Sequence, residues 1–147
     1  MVRRTLPNDV LLGEVSRLVE SGETVTLMTK GMSMLPFIVG GRDSVVLGRP
    51  DGLREGMIVL AYVHGDRYVL HRIISLDGDK VTLMGDGNIK GVEVCRIEDV
   101  KAVAYRIIRP SGEVDCLGAG HLRKAAAWKK MLPARRLILA VYRRLFL

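Results

Sequence analysis

The sequence predicts a mainly β fold of about six strands, with a short N-terminal helix and a helical tail at the C-terminal end. Three observations carry that expectation. Short apolar runs such as Met57–Val63 are bounded by turn residues rather than prolonged into helical patterns. His64-Gly65-Asp66 and Asp77-Gly78-Asp79 are hairpin signals between such runs. From His121 onward the pattern changes to helical spacing.

Taken in order, Val10, Leu11, Val15, Leu18 and Val19 recur at helical spacing, with Asn8 as cap and Gly22 as stop, so a helix is expected over 9–20. Thr24 to Thr29 alternates and is rich in β-formers, a strand leading into Gly31-Met32-Ser33-Met34-Leu35-Pro36. Pro36 ends that strand, and Gly40-Gly41 turns the chain toward a strand at Ser44-Val45-Val46-Leu47. Met57–Val63 reads as a buried strand, followed by strands at Arg67–Ser75, Lys80–Met84 and Lys101–Arg109, the last closed by Pro110-Ser111-Gly112. These elements place a β domain with its helix in 1–115 and a basic amphipathic tail in 116–147, broken near Pro133. In the second piece of the tail Leu137, Val141 and Leu145 form a stripe with Ile138 and Tyr142 beside it, and Arg135, Arg136, Arg143 and Arg144 fall on the opposite half-turn.

The net charge of +7 belongs to that tail. From Cys116 to Leu147 there are eight Lys/Arg and no acid, whereas the first 115 residues hold 15 Lys/Arg against 16 Asp/Glu. A near-neutral body argues against a nucleic-acid-binding fold, so no nucleic-acid partner is expected. Two cysteines, Cys95 and Cys116, form neither a disulfide framework nor a zinc pattern; no metal or other cofactor is expected, and reduced thiols fit the cytoplasm. No apolar h-region and no run of about 18 apolar residues predicts a secretory signal or a spanning helix.

Ser33 is the residue around which chemistry is expected. A serine hydroxyl needs a positioned base, and the base needs an orienting partner. Gly31 would let a substrate backbone approach, Met32 and Met34 can hold the loop, and the Ser33 amide can serve an oxyanion hole. Gly31, Met32, Met34 and Pro36 are therefore the expected substrate-binding neighbours. His71, in an apolar strand, is the candidate base, and Asp86, between Gly85 and Gly87, is the candidate partner for its Nδ1. Each has a plain structural reading as well: a turn serine, a satisfied strand histidine, a turn aspartate. Arg72 points to the other side of the strand, where solvation is the simple expectation, and Asp43 is expected to hold a turn. His64 and His121 are weaker candidates for the base.

Together Gly31-Met32-Ser33-Met34-Leu35-Pro36, Gly41-Arg42-Asp43, His71-Arg72-Ile73-Ile74 and Gly85-Asp86-Gly87-Asn88 resemble the ordered motifs of type I signal peptidases, and more broadly the superfamily that joins them to self-cleaving LexA-type repressors. The resemblance spans about residues 24–109. It implies a β fold with a hydrophobic substrate groove, a nucleophile at Ser33, and a histidine base at His71 as in the archaeal and endoplasmic-reticulum branch. Asp86 matches that branch's Gly-Asp motif. A second aspartate usual a few residues further on is missing, with Glu93 the one possible stand-in. Neither the usual spanning segment nor a DNA-binding domain is expected, so the chain looks most like compact stand-alone bacterial members.

The leading expectation is a serine endopeptidase acting on an extended peptide, whether a leader, a signal-type segment or itself, with small P1 and P3 residues implied by the resemblance. The alternatives are a catalytically silent peptide-binding module and an adaptor run by the tail. The tail stripe either lies on an anionic membrane surface, giving a peripheral location, or packs on the body or a second subunit. The oligomeric state is left open.

Overall fold

A computed structural model describes residues 8–147, with side chains from Val10 onward. The Arg3-Arg4 terminus lies outside the described residues, as does the side chain of Asn8, the expected cap, whose backbone begins the first helix. Helix α1 (Asn8–Glu20) is followed by β1 (Val25–Met28), β2 (Ser44–Gly48), β3 (Ile58–Val63), β4 (Arg67–Asp77), β5 (Lys80–Met84), β6 (Glu93–Arg96), β7 (Val100–Arg109) and β8 (Gly112–Asp115). The tail is α2 (Ala119–Lys130), a 3-10 turn at Leu132–Ala134 and α3 (Arg135–Phe146). All strand pairs are antiparallel, in the order β1-β2-β7-β3-β4-β5-β6 with β8 paired to β7, and the sheet curls into a half-barrel.

The fold is mainly β, with eight strands where about six are expected from pattern. The two additions are short. In β6 the alternation is inverted in chemistry: Glu93 and Cys95 point inward while Val94 is 47% exposed. Strand β8 lies just past Pro110-Ser111, which closes a two-residue hairpin with Arg109 opposite Gly112.

The continuous apolar run of β3 has a simple cause, since both of its faces are covered. Ile58 and Leu60 join a core with Val15 and Val19 of α1 and with Leu47, Ala104 and Ile107. Val59, Ala61 and Val63 join a second core with Ile73, Val81, Leu83 and Val103. A third, smaller cluster puts Leu35 and Val39 against Trp128 of α2 and Leu139 of α3. The tail is thereby packed onto the loop that carries Ser33.

The face by which α3 packs differs from its apolar stripe. Leu139 and Arg135 are buried and Ile138 and Tyr142 partly so, whereas Leu137 (70%), Val141 (49%) and Leu145 (69%) are exposed. Of the two expected fates of the stripe, packing on the body is not what this structure has. Arg135 is the reason. Its guanidinium lies 4.9 Å from the Trp128 ring centroid and donates to the carbonyls of Trp128 (3.2 Å) and Asn88 (3.0 Å). A basic residue expected on the polar half-turn is thus the anchor of the helix.

The two faces of α3 give a direct test by urea unfolding. Leu139→Ala is expected to lose about 2–4 kcal/mol, the usual loss for a buried leucine. Leu137→Ala, two residues away, is expected to stay within about 0.5 kcal/mol of the parent.

Candidate active site

The serine loop is closed at its base by backbone chemistry. The Thr29 amide and hydroxyl both donate to the Asp43 carbonyl (3.0 and 2.7 Å), and the Gly41 amide donates to the Thr29 carbonyl (2.8 Å). The fully buried Asp43 carboxylate accepts from the Val39 amide (2.8 Å) and from Arg42 (2.7 and 3.0 Å). Burial pushes its carboxyl upward, but the Arg42 hydrogen bonds and the Val39 amide outweigh burial and hold it below its ordinary value. Asp43 holds the loop, as its turn context suggests.

Within that loop Gly31 takes φ +75°, Leu35 is fully buried, and Leu35–Pro36 is a cis peptide. Ser33 is half-buried. It lines a cleft of about 210 Å³ with Gly31, Met34, Leu27, Leu70 and His71. Of the expected substrate neighbours, Gly31 and Met34 line this cleft, whereas the 45% exposed Met32 and Pro36 do not. Among the described residues the Ser33 and Met34 amides make no backbone hydrogen bond, which leaves both donors free in the loop.

Two backbone edges border the cleft. Strand β1 ends the sheet, so one of its edges is unpaired. On β4, residues 67–71 pair with β3 alone, because the β5 ladder begins at Arg72 opposite Met84. Leu27 and Met28 from the first edge and Tyr68 to His71 from the second are cleft residues. Such edges accept an added extended strand through main-chain hydrogen bonds.

His71 is 7% exposed, and its Nδ1 is hydrogen-bonded to Glu93 Oε1. The register explains how the two meet. Ile73, Leu83 and Glu93 form one row across β4, β5 and β6, and His71 stands two residues along β4 from that row. Beyond Leu83 on the same side of β5 comes Gly85, which has no side chain to intervene. A Cβ at Gly85 would sit 3.0 Å from His71 Nε2 and 2.4 Å from the Ser33 carbonyl oxygen. Nε2 and the Ser33 backbone therefore flank one bare glycine.

A carboxylate only accepts, so in the neutral tautomer this contact selects, Nδ1 carries the proton and Nε2 presents its lone pair on the Ser33 side. Among the described residues no hydrogen bond joins Ser33 Oγ to Nε2. The expected role of Asp86 as partner of His71 is corrected by this geometry: Glu93 occupies Nδ1.

Asp86 serves another residue. It is 3% exposed and receives two hydrogen bonds from Arg72, Nε to Oδ1 at 2.9 Å and Nη2 to Oδ2 at 2.7 Å. Arg72, expected in solvent, is also 3% exposed; it donates to the Gly56 carbonyl (2.8 Å) and His121 Nε2 (3.1 Å) and lies 4.8 Å from the Phe37 ring centroid. The correction has one physical cause. Residues 71 and 72 point to opposite sides of β4, so Asp86 can bond one of them and not both.

The Asp86 loop is then clamped from above and below. Trp128 Nε1 donates to the Asp86 carbonyl (2.8 Å), and the Asp86 amide contacts Met34 Sδ at 3.5 Å. The Gly87 amide donates to the Ser33 carbonyl at 2.8 Å. A Cβ at Gly87 would lie 2.4 Å from the Met32 carbonyl oxygen, so both glycines of Gly85-Asp86-Gly87 are there for close backbone approach.

No known family model matches the chain, and no curated protein matches it. The buried cysteines are poor nucleophile candidates, because burial pushes the Cys95 thiol up to about 11 and the Cys116 thiol up to about 12. The residues alone undervalued Arg72, Trp128 and Arg135; the pairing of Arg72 with Met84, two residues before Asp86 in the turn that follows β5, is the signal that could have joined Arg72 to Asp86.

His121 is a structural acceptor. Arginine has no acceptor capacity, so His121 Nε2 must be unprotonated where Arg72 meets it. Burial, with Arg72 and Arg109 nearby, lowers its pKa from the ordinary 6.5 to about 4. As pH falls, the unfolded chain therefore takes up this proton first. The associated stability is intact above about pH 6.5 and is lost progressively toward about pH 4, on the order of 3 kcal/mol in all. Thermal melts in 0.5-unit steps should show this loss, and His121→Gln, which retains an acceptor but does not titrate, should flatten it.

Proposed function

We propose that this chain is a serine endopeptidase of signal-peptidase-like type that cleaves an extended peptide. The observation that carries the reading is the placement of His71: Nδ1 held by Glu93, Nε2 beside the Ser33 loop, both residues on one apolar cleft. The substrate strand lies along the free edges of β1 and β4, which presents its backbone carbonyl to Ser33. His71 Nε2 takes the Ser33 proton as Oγ attacks that carbonyl, and the imidazolium is stabilised by Glu93. The free amides of Ser33 and Met34 receive the developing oxyanion. His71 then returns the proton to the leaving amine, and water hydrolyses the acyl-enzyme by the same base. The cleft's Leu, Met and Ile walls suit apolar substrate side chains.

Glu93 takes the orienting role in this scheme, and Asp86 supports the loop. Cleavage-site mapping on a peptide library by mass spectrometry, followed by kinetics on a cleaved peptide, tests the assignment. Ser33→Ala and His71→Ala are each expected to lower kcat/KM by at least about 10³-fold. Glu93→Gln should lower it by about 10²–10⁴-fold with the melting temperature little changed, because an amide can donate to Nδ1 and select the wrong tautomer. Asp86→Asn should instead lose about 3–5 kcal/mol of stability, since it leaves Arg72 buried without its counter-charge. Cleavage retained by Ser33→Ala would overturn the reading.

The missing hydrogen bond between Ser33 Oγ and His71 Nε2 favours a second reading, a peptide-binding module with the same groove. That bond is one that commonly tightens on substrate binding, so the peptidase reading is preferred. A silent module would bind extended peptides with unchanged affinity in Ser33→Ala and cleave none.

A further inference from the structure

We propose that α3 seats this protein on anionic membrane surfaces, with the Leu137–Val141–Leu145 stripe entering the headgroup boundary, Arg144 at its border meeting lipid phosphates and the other exposed basic side chains of the tail adding long-range attraction. The proposal goes beyond the peptidase reading and does not depend on it.

The observations are local to the helix. Its inward face is fully employed by Arg135 and Leu139, with Ile138 and Tyr142 beside them. Leu137 and Leu145 are nevertheless 70% and 69% exposed, and the helix end adds Phe146 at 69% and Leu147 at 57%. At 100° per residue, Leu137, Val141 and Leu145 fall on one strip; Arg144 borders it beside Leu137, a correction to its expected place on the opposite half-turn, while Arg136 and Arg143 do lie on that far side. All three arginines are exposed. No helix among the described residues is long and apolar enough to cross a membrane, so α3 would lie in the interface plane.

Charge selects the occupant. The segment 116–147 carries eight Lys/Arg and no acid, and of these only Arg135 is buried. A second copy docked stripe to stripe would bring two like-charged arginine sets together, whereas anionic headgroups neutralise them. The loops that α3 secures also show apolar side chains to solvent: Ile89 follows the Asn88 carbonyl held by Arg135, and Met32 lies in the loop against which Gly87 packs.

Flotation of the full chain with vesicles of phosphatidylcholine alone and with about 30% phosphatidylserine tests this. Binding is expected to the anionic vesicles, weakened by 0.5 M NaCl as surface charge is screened. Ser33→Ala should bind as the parent does, which separates this result from the fate of the peptidase reading. Arg143→Ser/Arg144→Ser should weaken partitioning by roughly tenfold or more, at about fivefold per arginine. Leu137→Ser/Val141→Ser/Leu145→Ser should abolish binding while the melting temperature stays near the parent's, since all three side chains are already in solvent. No binding to either vesicle overturns the proposal. So does a parent that fails to float but sediments as a dimer which the triple variant dissolves, because the stripe would then belong to a second copy.

Discussion

The buried guanidinium of Arg72 is the interaction on which the rest of the site depends. A cation this far from water is tolerable only with its counter-charge and further acceptors in place, and Arg72 has both, through Asp86, the Gly56 carbonyl and His121. The pair is planar and bidentate, so it fixes direction as well as distance. Asp86 held in this way carries the turn 85–88 with it. Trp128 then closes on the Asp86 carbonyl, and the Gly87 amide reaches the Ser33 carbonyl. The position of the serine is thus inherited, through the 85–88 turn and its Gly87–Ser33 hydrogen bond, from an arginine that never enters the cleft.

Strand alternation lets one dipeptide do two jobs. His71 turns toward Glu93 and the Ser33 loop, while Arg72 turns toward Asp86 and α2. The proposed chemistry and the scaffolding lie on opposite sides of β4, so neither acid has to serve both groups. The bare sides of Gly85 and Gly87 complete the arrangement. Side chains there would meet backbone atoms at 2.4 Å, closer than any relaxation of a flexible neighbour could absorb, and the two loops would be driven apart.

Much of this was legible in the residues. The helix over 9–20, the strands at 44–47, 57–63, 67–75, 80–84 and 101–109 and the break at Pro133 have close counterparts, because turn chemistry and apolar runs are local signals. Ser33, in the loop after β1, and His71, within β4, line a common cleft although those two strands do not pair. What was not legible depends on register. Glu93 sits on β6, whose inward residues are a carboxylate and a thiol, so no hydrophobic alternation announces the strand. Without β6 there is no row from Ile73 through Leu83 to Glu93, and Asp86 becomes the default partner for His71. The packing of α3 was misread for a related reason: amphipathicity ranks side chains by polarity, and Arg135 is buried by a stacked indole and two carbonyls that polarity does not register.

The same inversion explains why α3 leaves leucines in water. Single exposed leucines are common on soluble proteins and ask for no account. A strip of three, on a helix whose opposite face is already committed to the Asn88 carbonyl and the Leu35–Val39–Trp128 cluster, is a different matter, because no rotation of the helix could bury it without releasing Arg135. The inner and outer faces of α3 are thereby separated in function by the width of one helix, about 10 Å. Whatever covers the outer face does so without disturbing the side chains that hold the serine loop. A docking element of this kind can fix where the protein sits while leaving the geometry of Ser33, His71 and Glu93 as the sheet has set it.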